Sequence, residues 1–570
     1  MTATARRALW GRGLPWPRSK DEPAAAACVL GRADVRALDG ATIAAGTPAL
    51  ELMERAGAAI AHELARAAAG LAGGTPGLLV LAGSGNNGGD GFVVARLLAE
   101  RHWACTVALC AGEPRAGGEA AINLERWRRC GGAVIDLARA REAIASGAPQ
   151  YGFVLDALLG TGLDRPVDAK LVDLIHCLNS CGNSHAGSTK TRLAVVAVDI
   201  PSGLCADSGR PLGCAVRASA TVALGAYKPG LFLADGPDYA GRLLVADIGL
   251  LAPARAGLQP LGLALDASCT AGALAAPAPM THKGTRGHVL IVAGSRGKSG
   301  AGVLCARGAL RSGAGLVTLA LPRSQQPIAA ACLAELMTAP LPEDDSGALA
   351  GDCVDELEAL LEMADSVVFG PGLGTGEGAE AALRTVLSLA GCPVVLDADG
   401  LNILSRMGEE RRRLLEERAS RSMPPVVLTP HPGEMARLVA STTDAVQASR
   451  LEQAVKLAKN EGCCVVLKGA GTIISDGART AFNASGNAGM ATAGMGDVLG
   501  GVIGALAARG LDLLDAAALG VYAHGIAGDS RACSIGATAA NPQAPWSARL
   551  GFLASEVADA LPAALAGICA

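Results

Sequence analysis

The sequence predicts a two-domain α/β protein whose parallel sheets carry helices on both faces. Three observations predict it. Apolar runs of strand length alternate with helix-like stretches along most of the chain. That alternation breaks once, between residues 251 and 279, in an Ala/Pro/Gly-rich stretch where only Arg255 and Asp266 are charged. The chain also has 570 residues, half of them apolar, whereas single cores stop growing near about 250–300 residues.

Each element follows from its pattern. Across residues 47–69, Leu50, Met53, Ala56, Ile60 and Leu64 recur at helical spacing, with Glu51, Glu54 and Arg55 on the other side. Residues 78–81 read as a buried strand feeding a glycine loop, 83–91, and residues 92–101 as the helix after it. Residues 105–110, 153–155 and 193–198 read as strands, the last two ending at Asp156 and Asp199. The polar stretch 179–191 reads as a loop insertion. In the linker, residues 261–265 are a candidate to pair with a strand. From His282 the pattern restarts: strand 289–292, a glycine loop 294–302 and a helix to Ser312. Residues 316–321, 366–369, 394–396, 426–428 and 465–467 are further strands, and polar residues gather at their ends, where open α/β sheets bind ligands. A second glycine loop, 486–497, opens onto an apolar helix, 498–508. No repeat relates the halves. The expected divisions are a disordered tail (1–29), a first domain (30–250), a linker (251–280) and a second domain (281–567).

Composition excludes several classes. A net charge of −4 without a long basic run argues against nucleic-acid binding. The longest uncharged stretch, 67–89, holds Pro76 and eight glycines, so no membrane span is expected. The 17 cysteines are scattered without a C-x-x-C pair and read as reduced thiols, not zinc ligands. Arg6, Arg7, Arg12, Arg18 and Lys20 resemble an organellar targeting segment, but Pro15 and Pro17 interrupt any amphipathic period. A cytoplasmic protein is the expectation.

In the first half, Gly83, Gly85 and Gly88 match G-x-G-x-x-G, a weak signal alone. Asn86, Asn87 and Asp90 add hard oxygen ligands of the kind that suit alkali or alkaline-earth cations. Asp156 and the turn Asp199-Ile200-Pro201-Ser202-Gly203 close two other strands. Singly, each reads as a helix cap; together they read as a site. LMERAG (52–57), GSGNNGGDGFVVARLL (83–98), LDALLGTGL (155–163) and VDIPSG (198–203) resemble the NAD(P)H-hydrate epimerase family, the YjeF N-terminal domain, over about residues 30–250. The resemblance implies a Rossmann-like three-layer sandwich that interconverts the R and S epimers at C6 of the hydrated nicotinamide ring. It implies potassium on Asn87, Asp156 and Ser202. It implies hydrate (NADHX or NADPHX) on Asn86, Asn87, Gly88, Gly89 and Asp90, on Gly160, Thr161, Gly162, Leu163, Asp164, Arg165 and Pro166, and on Asp199. Asp199 is the expected acid/base.

In the second half, Gly494-Met495-Gly496-Asp497 offers backbone N–H groups at a helix start, an anion hole with a carboxylate at its mouth. Lys468, Gly469, Ala470, Gly471 and Thr472 offer a cation, close backbone and a hydroxyl. His431 lies between prolines at another strand end. With HKGTRGHVLIVAGS, RSGAGLVTLALP, GPGLG, VLDADGLNIL, LTPHPGEM, VLKGAGT and GMGDVLGG, these resemble the ADP/ATP-dependent NAD(P)H-hydrate dehydratase family over about residues 280–565. The resemblance implies a ribokinase-like fold, hydrate on Ala301, Gly374, His431 and Asp497, and adenine nucleotide on Lys468 to Thr472 and on Gly496. Mg2+ with ADP or ATP is implied, with ADP the expected donor; Asp497 is the expected catalytic base. Ala488, Ala493 and Met495 stand where that family usually has proline, glycine and a small hydroxyl residue. Ala493 is tolerable at negative φ and costly at positive φ. A homo-oligomer is expected. The rival reading is a ribokinase-like small-molecule kinase with a non-catalytic N-terminal module; Asn87, Asp156, Asp199 and Ser202 together argue against it.

Overall fold

The computed structural model describes residues 13–16, 24–69, 76–147, 150–182, 194–535 and 551–569. They fall into two compact units. In the first, strands β2 (Gly77–Ala82), β3 (Cys105–Leu109), β4 (Ala133–Asp136), β5 (Tyr151–Ala157), β6 (Ala194–Val198), β7 (Ala220–Leu224) and β8 (Arg242–Ala246) form a parallel sheet in the order β4-β3-β2-β5-β6-β7-β8. Alternate residues of β2 face opposite ways, as a pleated strand requires. Leu78, Val80 and Ala82 join one core with helices Ala49–Ala68, Asn86–Ala99 and Glu119–Arg129; Leu79 and Leu81 join another with helices Leu137–Ala145 and Ala169–Gly182. This is the expected three-layer sandwich. A short strand, β1 (Cys28–Val29), pairs antiparallel with β9 (Gly262–Leu265), so residues 261–265 do find a strand partner.

Three local readings change. Helix Asn86–Ala99 begins at Asn86, so Asn86 to Gly91 are its first turns and not a loop. Tertiary packing overrides poor helix propensity here. A Cβ on Gly88 would lie 2.1 Å from the Gly83 carbonyl oxygen, and one on Gly89 would lie 2.6 Å from the Met53 sulfur, so only glycine lets this helix seat so deeply. Residues 179–182 end helix Ala169–Gly182 instead of forming a loop; the remainder of 179–191 lies outside the described residues. Within the expected tail, the Leu14 side chain is buried and its N–H donates to Asp515 Oδ1 at 3.3 Å.

In the second unit, β10 (His288–Val292), β11 (Leu316–Pro322), β12 (Met337–Leu341), β13 (Ser366–Phe369), β14 (Val394–Leu396), β15 (Val426–Leu428), β16 (Cys464–Leu467), β17 (Ile473–Ser475) and β18 (Thr480–Asn483) run in the order β18-β17-β16-β15-β14-β13-β10-β11-β12. The strands from β16 to β12 are parallel; β17 and β18 turn back antiparallel. Helix Met495–Ala508 is buried nearly all round beyond its first turn, in keeping with the uncharged, largely apolar sequence that follows Asp497. It crosses helix Ser299–Arg311 closely: a Cβ on Gly501 would lie 1.9 Å from the Cys305 carbonyl oxygen, and one on Gly308 would lie 2.4 Å from that of Val498. Among the described residues no helix is long and apolar enough to cross a membrane, and no disulfide joins the described cysteines.

Two candidate active sites at the strand switch points

Each sheet reverses its strand order once, beside β2 in the first unit and beside β10 in the second. Ligands of doubly wound sheets lie at such points, outside the carboxyl ends of the strands.

In the first unit Asp156 is wholly buried near the end of β5. Its Oδ1 accepts the Ser202 hydroxyl at 2.6 Å and its Oδ2 the Ser202 N–H at 2.8 Å. Burial pushes the carboxyl up to about 6, and no basic side chain offsets that. The Ser202 hydroxyl also lies 3.1 Å from the Leu159 carbonyl oxygen and accepts the Leu159 N–H at 2.8 Å. Asn87 has a buried Nδ2 without a hydrogen-bond partner. A Cβ on Gly160 would lie 3.2 Å from Asn87 Oδ1, so the two predicted segments meet there. The loop beyond is tied at Leu163, whose carbonyl accepts Arg32 Nη1 at 3.1 Å. The structure thus brings Asn87 against Gly160, and Asp156 against Ser202.

Asp199 follows β6 with φ +67°, the left-handed region a non-glycine residue enters at a cost. Its Oδ1 accepts the Leu224 N–H at 2.9 Å and the ammonium of Lys228. It caps no helix. Lys228 is fully buried and gives further hydrogen bonds to the Leu224 and Ala226 carbonyls at 3.0 and 2.9 Å. Asp90, buried in the first turns of helix Asn86–Ala99, is held well above the usual carboxylate range by burial and by the charges of Asp199 and Asp39. Burial and Asp199 push Asp39 up to about 6, against the pull of Lys228. The sequence reading missed Lys228 and Asp39. Lys228 had a signal, as the sole charge in residues 218–234; Asp39, on helix Arg32–Ala44, had none.

In the second unit Asp497 lies in the first turn of helix Met495–Ala508, behind an N-cap at Gly494 with φ +90°. It is therefore not the cap, and the first-turn N–H groups are left to face a ligand. A Cβ on Gly496 would lie 3.2 Å from Lys468 Nζ and 3.4 Å from Asp397 Oδ2, which puts the lysine of the predicted nucleotide turn beside the helix start. Lys468 Nζ donates to Asp397 Oδ1 at 2.6 Å, and the Thr429 hydroxyl donates to the same oxygen at 2.8 Å. Burial, and then Asp397, push Asp497 up to about 7. Ala493 is not among the described residues with positive φ, so its methyl group meets no backbone strain. Met495 is buried, an apolar side chain where a hydroxyl was expected.

Ala301 and Gly374 sit at the switch point. A Cβ on Gly372 would lie 3.0 Å from that of Ala301, and the Gly374 N–H donates to Asp399 Oδ2 at 2.8 Å. His431 caps the short helix Pro432–Leu438, its Nδ1 accepting the Gly433 and Glu434 N–H groups at 3.0 and 3.3 Å. Burial and Lys468 keep it below its ordinary value. Glu434, pushed up to about 7 by burial, accepts the His431 N–H at 2.8 Å. Glu434, Asp397, Thr429 and Asp529 had no role in the sequence reading. Asp529 ties down the start of the glycine loop: its Oδ2 accepts the Gly486 N–H and its Oδ1 the Asn487 amide, both at 2.9 Å.

A doubly wound unit with a carboxylate-rich switch point, joined in one chain to a second α/β unit with a lysine and carboxylates at a helix start, has the form of a two-site α/β enzyme. The comparisons make this specific. Residues 49–230 match the family model described as YjeF-related protein N-terminus, and residues 289–544 match the model described as NAD(P)H-hydrate dehydratase. A bifunctional NAD(P)H-hydrate repair enzyme of Moorella thermoacetica is 40% identical over 489 residues, covering 85% of this chain and 88% of the relative. One of Escherichia coli K12 is 37% identical over 463 residues, covering 80% and 81%. A solved Bacillus subtilis ADP/ATP-dependent NAD(P)H-hydrate dehydratase, co-crystallised with ATP and Mg2+, is 28% identical with a TM-score of 0.44, covering 53% of this chain and 97% of that one. The chain belongs to the family of bifunctional NAD(P)H-hydrate repair enzymes, with an epimerase unit followed by a dehydratase unit.

Proposed function

We propose that the two activities divide between the switch points as follows. In the first unit Asp199, set by Lys228, moves the proton on the C6 hydroxyl of the hydrate, and Asp90 holds the complementary proton. Protonated, the hydroxyl leaves C6 as water with help from the ring nitrogen lone pair. Water then adds to the other face and returns a proton, so atoms and charge balance. The observation that supports this is the buried Asp199–Lys228 pair beside Asp90, a second buried carboxyl that burial holds well above the usual carboxylate range.

The set Asn87, Asp156 and Ser202 fits potassium. It offers amide, carboxylate and hydroxyl oxygens, and a buried carboxylate without a basic partner supplies the charge. With only one carboxylate, the set suits a monovalent cation, which supplies positive charge near the hydrate when bound.

In the second unit Asp497 takes the hydroxyl proton of the S hydrate. The oxygen then bonds to the terminal phosphorus of ADP as the bridging P–O bond breaks. First-turn N–H groups and Lys468 hold the phosphoryl group. The C6–O bond breaks with phosphate leaving, the neighbouring ring carbon loses a proton, and the double bond returns. What supports this reading is the meeting of Asp497, Lys468 and the helix start around Gly496. Asp397, beside Lys468, is the carboxylate that would hold Mg2+ on the nucleotide phosphates, where the metal would supply charge neutralisation. The deciding experiment compares ADP with ATP as donor for purified protein. Faster recovery of reduced nicotinamide with ATP than with ADP would refute the choice of ADP.

A further inference from the structure

Beneath the proposed nucleotide turn lies a buried cation that the reaction scheme leaves unused. Arg450 opens helix Arg450–Glu461 and is 5% exposed. Its Nη2 donates to the carbonyls of Leu467 and Lys468 at 3.1 and 3.2 Å, and its Nη1 to Gln447 Oε1 at 2.9 Å. Its Nε is buried without a partner, and burial pulls the guanidinium down to about 10. Arg418, another buried arginine of this unit, differs. Its Nε and both Nη atoms donate to backbone carbonyls, those of Pro424, Leu387, Ala390 and Cys392. Arg418 is a satisfied staple. Arg450 is held less completely, under a turn that is expected to meet polyphosphate.

The turn is shaped by it. A trans peptide points its N–H away from its C=O. The Lys468 carbonyl is directed at Arg450, so the Gly469 N–H faces the opposite way. The Gly469 carbonyl accepts the Thr472 hydroxyl at 2.8 Å, which turns the Ala470 N–H away from Thr472. Gly469 has φ +135°, and a Cβ there would lie 3.2 Å from Arg450 Nη1, so the chain lies flat on the guanidinium. Gly469 and Ala470 are exposed.

We propose that Arg450 is the positioning residue of the nucleotide subsite: it fixes the peptide between Lys468 and Gly469 so that the N–H groups of the turn face the phosphates, and it adds a second positive charge behind Lys468. This rests on the reading that residues 468–472 hold the nucleotide. The test is steady-state dehydratase kinetics with ADP and hydrate varied separately in Arg450→Met, Arg450→Lys, Gln447→Leu and Ala470→Asp. Epimerase turnover of the same chains counts the protein present, and the KM for hydrate reports an intact second unit. Arg450→Met raises the KM for ADP by about tenfold or more, the scale of a charge-assisted hydrogen bond. The KM for hydrate stays within about twofold, since the arginine's hydrogen bonds reach none of the residues proposed to hold the hydrate. Arg450→Lys, which keeps the charge, recovers part of the loss, and Gln447→Leu shows a smaller one. Ala470→Asp, which sets a carboxylate in the turn without touching Arg450, also raises the KM for ADP. If Ala470→Asp has that effect and Arg450→Met does not, the role of Arg450 is overturned while the subsite stands. If Arg450→Met worsens both KM values and kcat together, Arg450 is a structural staple. If Ala470→Asp leaves the KM for ADP unchanged, the subsite reading falls, and the proposal with it.

Discussion

Replacing Asp497 with asparagine should weaken catalysis and strengthen the fold. Raising a carboxyl from 3.8 to about 7 disfavours its ionised form in the folded state by about 4 kcal/mol. Asp497 keeps part of its surface in solvent, and screening reduces this to about 2 kcal/mol. The sign follows from proton counts. Between pH 4 and 7 the unfolded carboxyl has lost its proton and the folded one still holds it. Stability therefore falls as pH rises through this window and is flat above it. Asparagine carries no such dependence. Asp497→Asn should match the parent protein near pH 4 and exceed it by about 2 kcal/mol at pH 8, or about 4–8 °C in the melting of the second unit. Dehydratase turnover should drop by about 10²–10⁴-fold, the usual contribution of a general base. In the parent, kcat/KM should rise with pH, pass its half-maximum near 7 and level off above that. Calorimetry and initial rates at both pH values check all of this. A variant no more stable than the parent at pH 8, or one that loses less than about tenfold in rate, refutes the reasoning.

Asp199→Asn should slow epimerisation by about 10²–10⁴-fold and leave turnover of the S hydrate unchanged, as measured with separated epimers. Exchanging potassium for choline should slow the epimerase and lower the melting temperature of the first unit. At a potassium concentration of about 100 times its Kd, the stabilisation is about 2.7 kcal/mol, and Asp156→Asn should abolish the response. Asp529→Ala releases two tethers of the glycine loop and should reduce dehydratase turnover by about tenfold or more, with Asp529→Asn milder and the epimerase rate unmoved in both.

Much of the fold is legible because buried parallel strands spell continuous apolar runs. Residues 366–369, 394–396 and 426–428 were bounded correctly for that reason. Strands β4, β7, β8 and β12 were not found: AVID is exposed or half-buried throughout, RLLVA and MTAPL each bury only their last residue, and ATVAL, though buried at its centre, was passed over. The turn-back of β17 and β18 was missed because three or four residues give too short a period to read. The start of helix Asn86–Ala99 was misread because asparagine and glycine oppose helix formation and only the contacts at Gly88 and Gly89 require them. The positions that ended strands, Asp156, Asp199 and Lys468, were legible from topology alone. What stands behind them was not. The pairing of Asp199 with Lys228 spans 29 residues and depends on a left-handed backbone at Asp199. No pattern in the sequence marks Arg450 as buried at 5% exposure.

The central claim is that two separate carboxylate sites act in turn on one damaged dinucleotide. It is tested most directly by giving a mixture of both hydrate epimers, with K+, Mg2+ and ADP, to the parent protein, Asp199→Asn and Asp497→Asn, and following the near-ultraviolet absorbance of reduced nicotinamide. The account predicts full recovery with the parent, recovery of only the S share at the parental rate with Asp199→Asn, and almost none with Asp497→Asn. Full recovery at the parental rate with Asp199→Asn, or with Asp497→Asn, would contradict it.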